Sequence, residues 1–152
     1  MKEESRKILT RLEALCAKAE YCRSDIFRKA LKVAEDYTEA AEITDSLVKD
    51  RFVDDARYAA AFAREKSSLT GWGPIKIRFA LRAKQIPESA ITEALAGIED
   101  EKADAKLEKL LEAKARALKG DPAIKLKLIR FALSRGYEYE AVESALSHLT
   151  SL

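Results

Sequence analysis

Histidine is all but missing from this chain, with His148 the only one among 152 residues. Zinc centres and histidine-activated nucleophiles need imidazoles grouped with further ligands or a carboxylate. His148 has no cysteine near it, and its closest carboxylate in sequence, Glu143, stands five residues back and off its helical face. It reads as a surface residue. Cys16 and Cys22 are the only cysteines, lie six apart without a CxxC spacing, and are expected to be reduced structural thiols in a cytoplasmic protein. The one glycine pattern near a helix start, Gly71-Trp72-Gly73, is a lone GxG with neither a preceding strand nor a phosphate-binding lysine. No stretch approaches the roughly 20 apolar residues that cross a bilayer. The charged opening MKEESRKIL lacks the apolar run of a signal peptide, so no membrane role is expected. Asp54-Asp55, the most concentrated acidic pair, fits neither paired-carboxylate catalysis nor a calcium loop and suits the start of a helix instead. No catalytic residue, metal or cofactor is therefore assigned, and the chain is not expected to be an enzyme.

What is present is helix. Pro74, Pro87 and Pro122 each open an apolar pattern of helical period, where a missing N–H costs nothing. Nine helices are predicted, at about Glu3–Glu20, from Ser24 or Asp25 as cap to Ala34, Thr38–Lys49, Asp54–Leu69, Pro74–Lys84, Pro87–Ala96, Glu99–Leu118, Pro122–Arg135 and Glu138–Leu149. Thr38 is the expected cap of the third, and Leu69 joins Tyr58, Ala59 and Phe62 on the apolar face of the fourth. The eighth is apolar over so wide an arc, from Ile124 to Leu133, that contact on two sides is expected. Gly136 is its expected C-terminal cap. Tyr58 and Phe62 are expected to join the fourth helix to the next, Trp72 to plug the space between helices, and Leu81 to sit in the core.

The fragments KIRFALRAKQIPESAITEAL and KLIRFALSRGYEYEAVESAL repeat one another. Their turns, Lys84-Gln85-Ile86 and Arg135-Gly136-Tyr137, correspond at an offset of 51 residues, which pairs Ile91 with Val142 and Leu95 with Leu146. The shared Arg-Phe-Ala-Leu string matches instead at an offset of 52, from Arg78 to Arg130, so the register of that helix is ambiguous by one. The expected architecture is all-α, an elongated tandem array of three three-helix repeats: 1–50, divergent; 51–98, with a basic helix; and 99–152.

The net charge of +2 hides an uneven distribution along the chain. Residues 51–84 hold eight Lys/Arg against three Asp/Glu, and 114–135 hold seven against one, while 85–113 reverse the balance with three against eight. Arg78 and Arg82 stack like charges one helical turn apart, as do Lys127 and Arg130, at a cost more easily tolerated if something acidic meets them. Arg57 and Arg64 line one side of the preceding helix.

From Arg51 to Leu95 the chain resembles the bacterial RecX family, modulators of the RecA recombinase. The resemblance rests on Arg51-Phe52, Asp54-Asp55, Arg57-Tyr58-Ala59, Arg78-Phe79-Ala80-Leu81 and Lys84-Gln85-Ile86. Gln85 stands where the family usually has glycine, and the first repeat, with Glu35-Asp36-Tyr37 at the corresponding turn, is the most divergent. The resemblance implies a regulator that lies in the groove of the RecA filament on single-stranded DNA and inhibits strand exchange, ATP hydrolysis and SOS signalling. Partners would then be that filament and single-stranded DNA, directly or through it, met by a monomer. The expected contact residues are Arg57, Arg64, Arg78, Arg82 and Lys84, then Lys125, Lys127, Arg130 and Arg135, with Asp54 and Asp55 architectural. The alternative from another class is a helical module that binds nucleic acid mainly through phosphate contacts.

Overall fold

Residues 1–149 are described by the computed structural model of the chain, and among them nine α-helices and one π-helical turn account for the regular structure. The helices are α1 (Glu3–Lys18), α2 (Arg23–Val33), α3 (Tyr37–Lys49), α4 (Asp55–Glu65), α5 (Pro74–Ala83), α6 (Glu88–Ala96), α7 (Asp100–Ala117), α8 (Ile124–Ser134) and α9 (Tyr139–Ser147), with the π turn at Lys66–Thr70. The expected third repeat runs to 152, and residues 150–152 lie outside the described part.

Helices of nine to eleven residues are marginal alone, because nucleation is unfavourable. Here each packs against partners of its own triplet. Leu12, Ile26, Ile43 and Leu47 close one core, Ile77, Leu81 and Ile91 a second, and Leu107, Leu111, Leu128 and Val142 a third. Two residues reach across the triplets: Val53 belongs to the first core, and Cys22, fully buried, to the second. The fold is thus an all-α repeat in which no principal helix packing links the first triplet to the third among the described residues.

The register ambiguity is resolved by burial. At an offset of 51, Ile77 matches Leu128, Leu81 matches Ala132 and Ile91 matches Val142, and all six are fully buried. The Arg-Phe-Ala-Leu strings are therefore one residue out of structural register. Phe79 stands 74% exposed, whereas Phe131 is half-buried beneath the Lys114 ammonium and the Arg135 guanidinium, at 5.3 and 5.2 Å from the ring centroid.

Several local expectations are corrected. The cap of α3 is Asp36, whose Oδ1 accepts from the Glu39 N–H at 2.9 Å, rather than Thr38. Ser24 and Asp25 lie inside the first turn of α2, after Cys22, and their side chains bond to the second unit instead. Leu69 does not share the apolar face of α4, because the π turn adds a residue and carries it out to 77% exposure. The wide arc of α8 does meet two neighbours, α7 and α9, but they do not cover all of it: Leu126 and Leu133 remain exposed. His148 does have a carboxylate partner, Glu108 Oε1 at 2.7 Å, supplied by α7 rather than by its own helix.

Candidate functional site

Tandem repeats place equivalent helices in equivalent positions, and charge follows position. The second helices α2, α5 and α8 carry ten Lys/Arg and one carboxylate, Asp25. The third helices α3, α6 and α9 carry one cation, Lys49, and seven carboxylates. Counting along contiguous segments missed four of these ten cations, since Arg23, Arg28, Lys29 and Lys32 of α2 fall in a stretch whose signs nearly balance. Counting by place within the repeat would have found it.

The second helices are also joined end to end. At the end of α8 the carbonyls of Arg135 and Gly136, which an isolated helix leaves without partners, accept the N–H groups of Gly73 and Ile75 at 2.7 and 2.9 Å, at the start of α5. At the end of α5 the Lys84 carbonyl accepts from Ser24 Oγ at 2.7 Å, and Lys84 Nζ reaches Asp25 Oδ2 at 2.7 Å, at the start of α2. At both joints a carbonyl from the end of one second helix is thus satisfied at the start of the next. The three together amount to about 48 Å of helix contour. They carry Leu31, Val33, Ile75, Phe79, Leu126 and Leu133, six of the large apolar side chains that stand exposed. An exposed apolar series beside cations marks an interaction surface more strongly than either alone.

Gly71-Trp72-Gly73 proves to be part of this joint. Gly71 takes a left-handed φ of 75° and its carbonyl accepts from Tyr137 Oη at 3.1 Å. A Cβ on Gly73 would overlap the Gly136 carbonyl, and one on Gly136 would overlap the backbone of Lys76, so the second and third units meet backbone to backbone. Trp72 packs edge-on against Phe62, with centroids 6.1 Å apart, and the Lys66 and Lys76 ammoniums lie 4.8 and 4.7 Å from its centroid. Tyr58 stacks on Phe62 in the same cluster, and Leu81 is fully buried.

The nine expected contact cations separate into three groups. Arg57, Lys84 and Arg135 are spent on the framework. The Arg57 guanidinium donates to Glu20 Oε2 at 2.5 Å and to the carbonyls of Arg51 and Phe52, tying the α1–α2 connection to the α3–α4 connection, and the bond to Glu20 raises its pKa. Lys84 is likewise raised by its bond to Asp25, and Arg135 donates to the Thr70 carbonyl at 3.2 Å. Arg78, Arg82 and Lys127 are paired on the surface. Glu88 receives both Arg78, at 3.0 Å, and Arg82, and the Arg82 bond chiefly holds its carboxyl below the usual range. Lys127 pairs with Asp121 at 2.5 Å and lowers that carboxyl in the same way. Arg64, Lys125 and Arg130 are exposed and have no carboxylate within ion-pair distance among the described residues. Asp54 caps α4 by accepting from the Arg57 N–H at 3.0 Å, and Asp55 accepts from the Arg23 N–H at 2.8 Å, joining the first two units.

Surface ion pairs of this kind contribute little to stability and exchange partners readily. The cations held by Glu88 and Asp121 thus stay available to a stronger anion. Among the described residues no group of three or more metal-ligating side chains occurs, and no helix is long and apolar enough to cross a membrane.

Fold and charge layout define a class: an all-α protein of tandem three-helix repeats whose net positive charge lies on the second helix of each repeat. Models of the second and third three-helix domains of RecX match residues 54–95 and 100–146. The chain is 31% identical to regulatory protein RecX of Chromohalobacter salexigens over 137 residues, covering 88% of this chain and 87% of that one. It is 32% identical to the RecX of Haemophilus ducreyi over 138 residues, covering 91% and 87%. A crystal structure of regulatory protein RecX superposes with a TM-score of 0.88 at 24% identity, over 96% of this chain and 73% of that one. The RecX of Lactobacillus salivarius does so at 0.83 and 20%, over the whole of both chains. These two show the shared fold. The chain belongs to the RecX family of regulatory proteins.

Proposed function

We propose that this protein regulates the RecA recombinase by laying the ridge of α2, α5 and α8 along the RecA–DNA filament, each second helix engaging acidic and apolar surface on the filament. One observation supports the reading above the others: cations and exposed apolar side chains coincide on three helices joined in series. A nucleic-acid backbone would use the cations but leave Leu31, Val33, Phe79 and Leu133 wet, whereas a protein surface uses both. A body of linked modest contacts gains by effective concentration, since each engaged repeat presents the next. Bound along the filament as a monomer, the protein would impede strand exchange, ATP hydrolysis and SOS co-protease activity without chemistry of its own.

The test is DNA-dependent ATP hydrolysis by a RecA filament, titrated with wild type and with Arg78→Ala/Arg82→Ala. The double variant is expected to fold as wild type does and to need at least about tenfold more protein for half inhibition, as for charged contacts at a protein interface. Undiminished inhibition by the folded variant rejects this surface. A wild type that leaves an active filament untouched rejects the function.

A further inference from the structure

A second cationic feature lies off the ridge, where the π turn after α4 meets the first half of α7. A groove of about 570 Å³ opens there between the second and third units, and Arg64, Lys102, Lys106 and Lys109 line it against a single carboxylate, Glu99. Glu99 pairs with Lys102 at 3.6 Å, and Arg64, Lys106 and Lys109 have no ion-pair partner among the described residues. Sequence reading passed over it because residues 85–113 are acidic in sum, with three lysines against eight carboxylates. Helical spacing sorts them: Lys102, Lys106 and Lys109 fall at i, i+4 and i+7 on one face.

We propose that this groove is a phosphodiester site, holding the backbone of a single-stranded nucleic acid without reading its bases. The three lysines follow one another along α7 over about 10 Å at 1.5 Å per residue, and Arg64 faces them from α4, so the site suits a linear polyanion. No aromatic ring and no amide side chain lines it among the described residues; Ser67 and Ser68 are its only uncharged polar side chains, and the Ser68 hydroxyl donates to the Arg64 carbonyl at 2.7 Å. Lysine ammoniums act on phosphate as point charges and demand no bidentate geometry. The inter-unit joint borders the groove: a Cβ on Gly71 would stand 2.9 Å from Leu110 Cδ1, too close, and 3.5 Å from Lys106 Cε, an ordinary contact, so the Lys106 stem packs beside the joint. This site is separate from the ridge residues Arg78 and Arg82, and the proposal does not depend on the filament.

The experiment follows the anisotropy of a fluorescein-labelled oligo(dT) with the full chain and no recombinase. Wild type is expected to bind at low salt. Lys102→Gln/Lys106→Gln/Lys109→Gln, which keeps good helix formers in α7, is expected to lose at least about tenfold in affinity and to flatten the log–log salt dependence by about 2, the slope of three lost phosphate contacts on a single strand. Arg64→Gln/Lys109→Gln alters only exposed side chains and is expected to flatten it by about 1.4 on the same scale. Lys18→Gln/Lys49→Gln, which changes two exposed cations off both the groove and the second helices, is expected to bind within about twofold of wild type. No oligo(dT) binding by wild type, or wild-type affinity and slope in the two folded groove variants, overturns the proposal. So does displacement by polyglutamate of equal charge as readily as by unlabelled oligo(dT), which would assign the groove to an acidic protein. None of these results bears on inhibition of the recombinase, which stands or falls on its own assay.

Discussion

Gln85 shows how much one side chain can be asked to tolerate. It ends α5 at a left-handed φ of 61°, in the position where Gly136 ends α8 at 93°, and the Ile86 N–H closes back on the Leu81 carbonyl at 3.1 Å as Tyr137 does on Ala132 at 3.3 Å. A β-carbon in that region costs about 1–2 kcal/mol, partly offset because glycine has more freedom to lose on folding. Gln85→Gly is accordingly expected to stabilise the protein by about 0.5–1 kcal/mol, seen as a higher urea midpoint with an unchanged m-value. Glu88 is the other instructive residue, since it engages both ridge arginines of α5. Its carboxyl is held below the usual value, so the pairing is complete above the ordinary carboxylate pKa and is lost only as pH falls through the lower folded value. Inhibition should therefore not vary with pH between about 6 and 8 on account of this group. Glu88→Gln should leave the fold intact while releasing Arg78 and Arg82, and a lower inhibitor concentration for half-maximal RecA ATPase is the expected reading.

Helices were legible from periodicity because each buries one face within its own triplet. Their ends were less so. Asp36 displaced Thr38 as a cap because its backbone is already extended at φ −151°, and Ser24 and Asp25 were drawn from capping into the joint with the second unit. The glycines of the joint between the second and third units look like turn residues in sequence, yet two of them are required by contact. Gly136→Ala would force a Cβ into the Lys76 backbone at a left-handed φ. It is expected to cost at least about 2 kcal/mol and to speed hydrogen exchange at the Gly73 and Ile75 amides, which donate across the joint. Phe79→Ser tests α5 from the opposite direction. The ring is 74% exposed, so stability should change by no more than about 0.5 kcal/mol, while inhibition of the recombinase should weaken several-fold.

At the scale of the molecule, three small cores in series make a body whose contacts are local, and binding should reflect that. Arg28, Arg78 and Arg130 each lie on a different second helix. Replacing one by alanine is expected to weaken filament inhibition several-fold, and replacing all three by at least about 100-fold, because linked sites multiply rather than add. The comparison is made by titrating the same ATPase assay at one salt concentration, since charged contacts are screened over about 8–10 Å at physiological ionic strength.

The sequence alone determined the helical class, the threefold repetition and the family resemblance, because apolar spacing, proline position and short motifs are properties of neighbours along the chain. Which cations are free was settled by tertiary structure: Arg57 is consumed by Glu20, Lys84 by Asp25, and Arg78 and Arg82 share Glu88, while Arg64 and Lys109 meet across a groove. Charge at a surface depends on what stands opposite, and residues that stand opposite one another here are separated by up to 59 positions in an ion pair and 66 in a hydrogen bond.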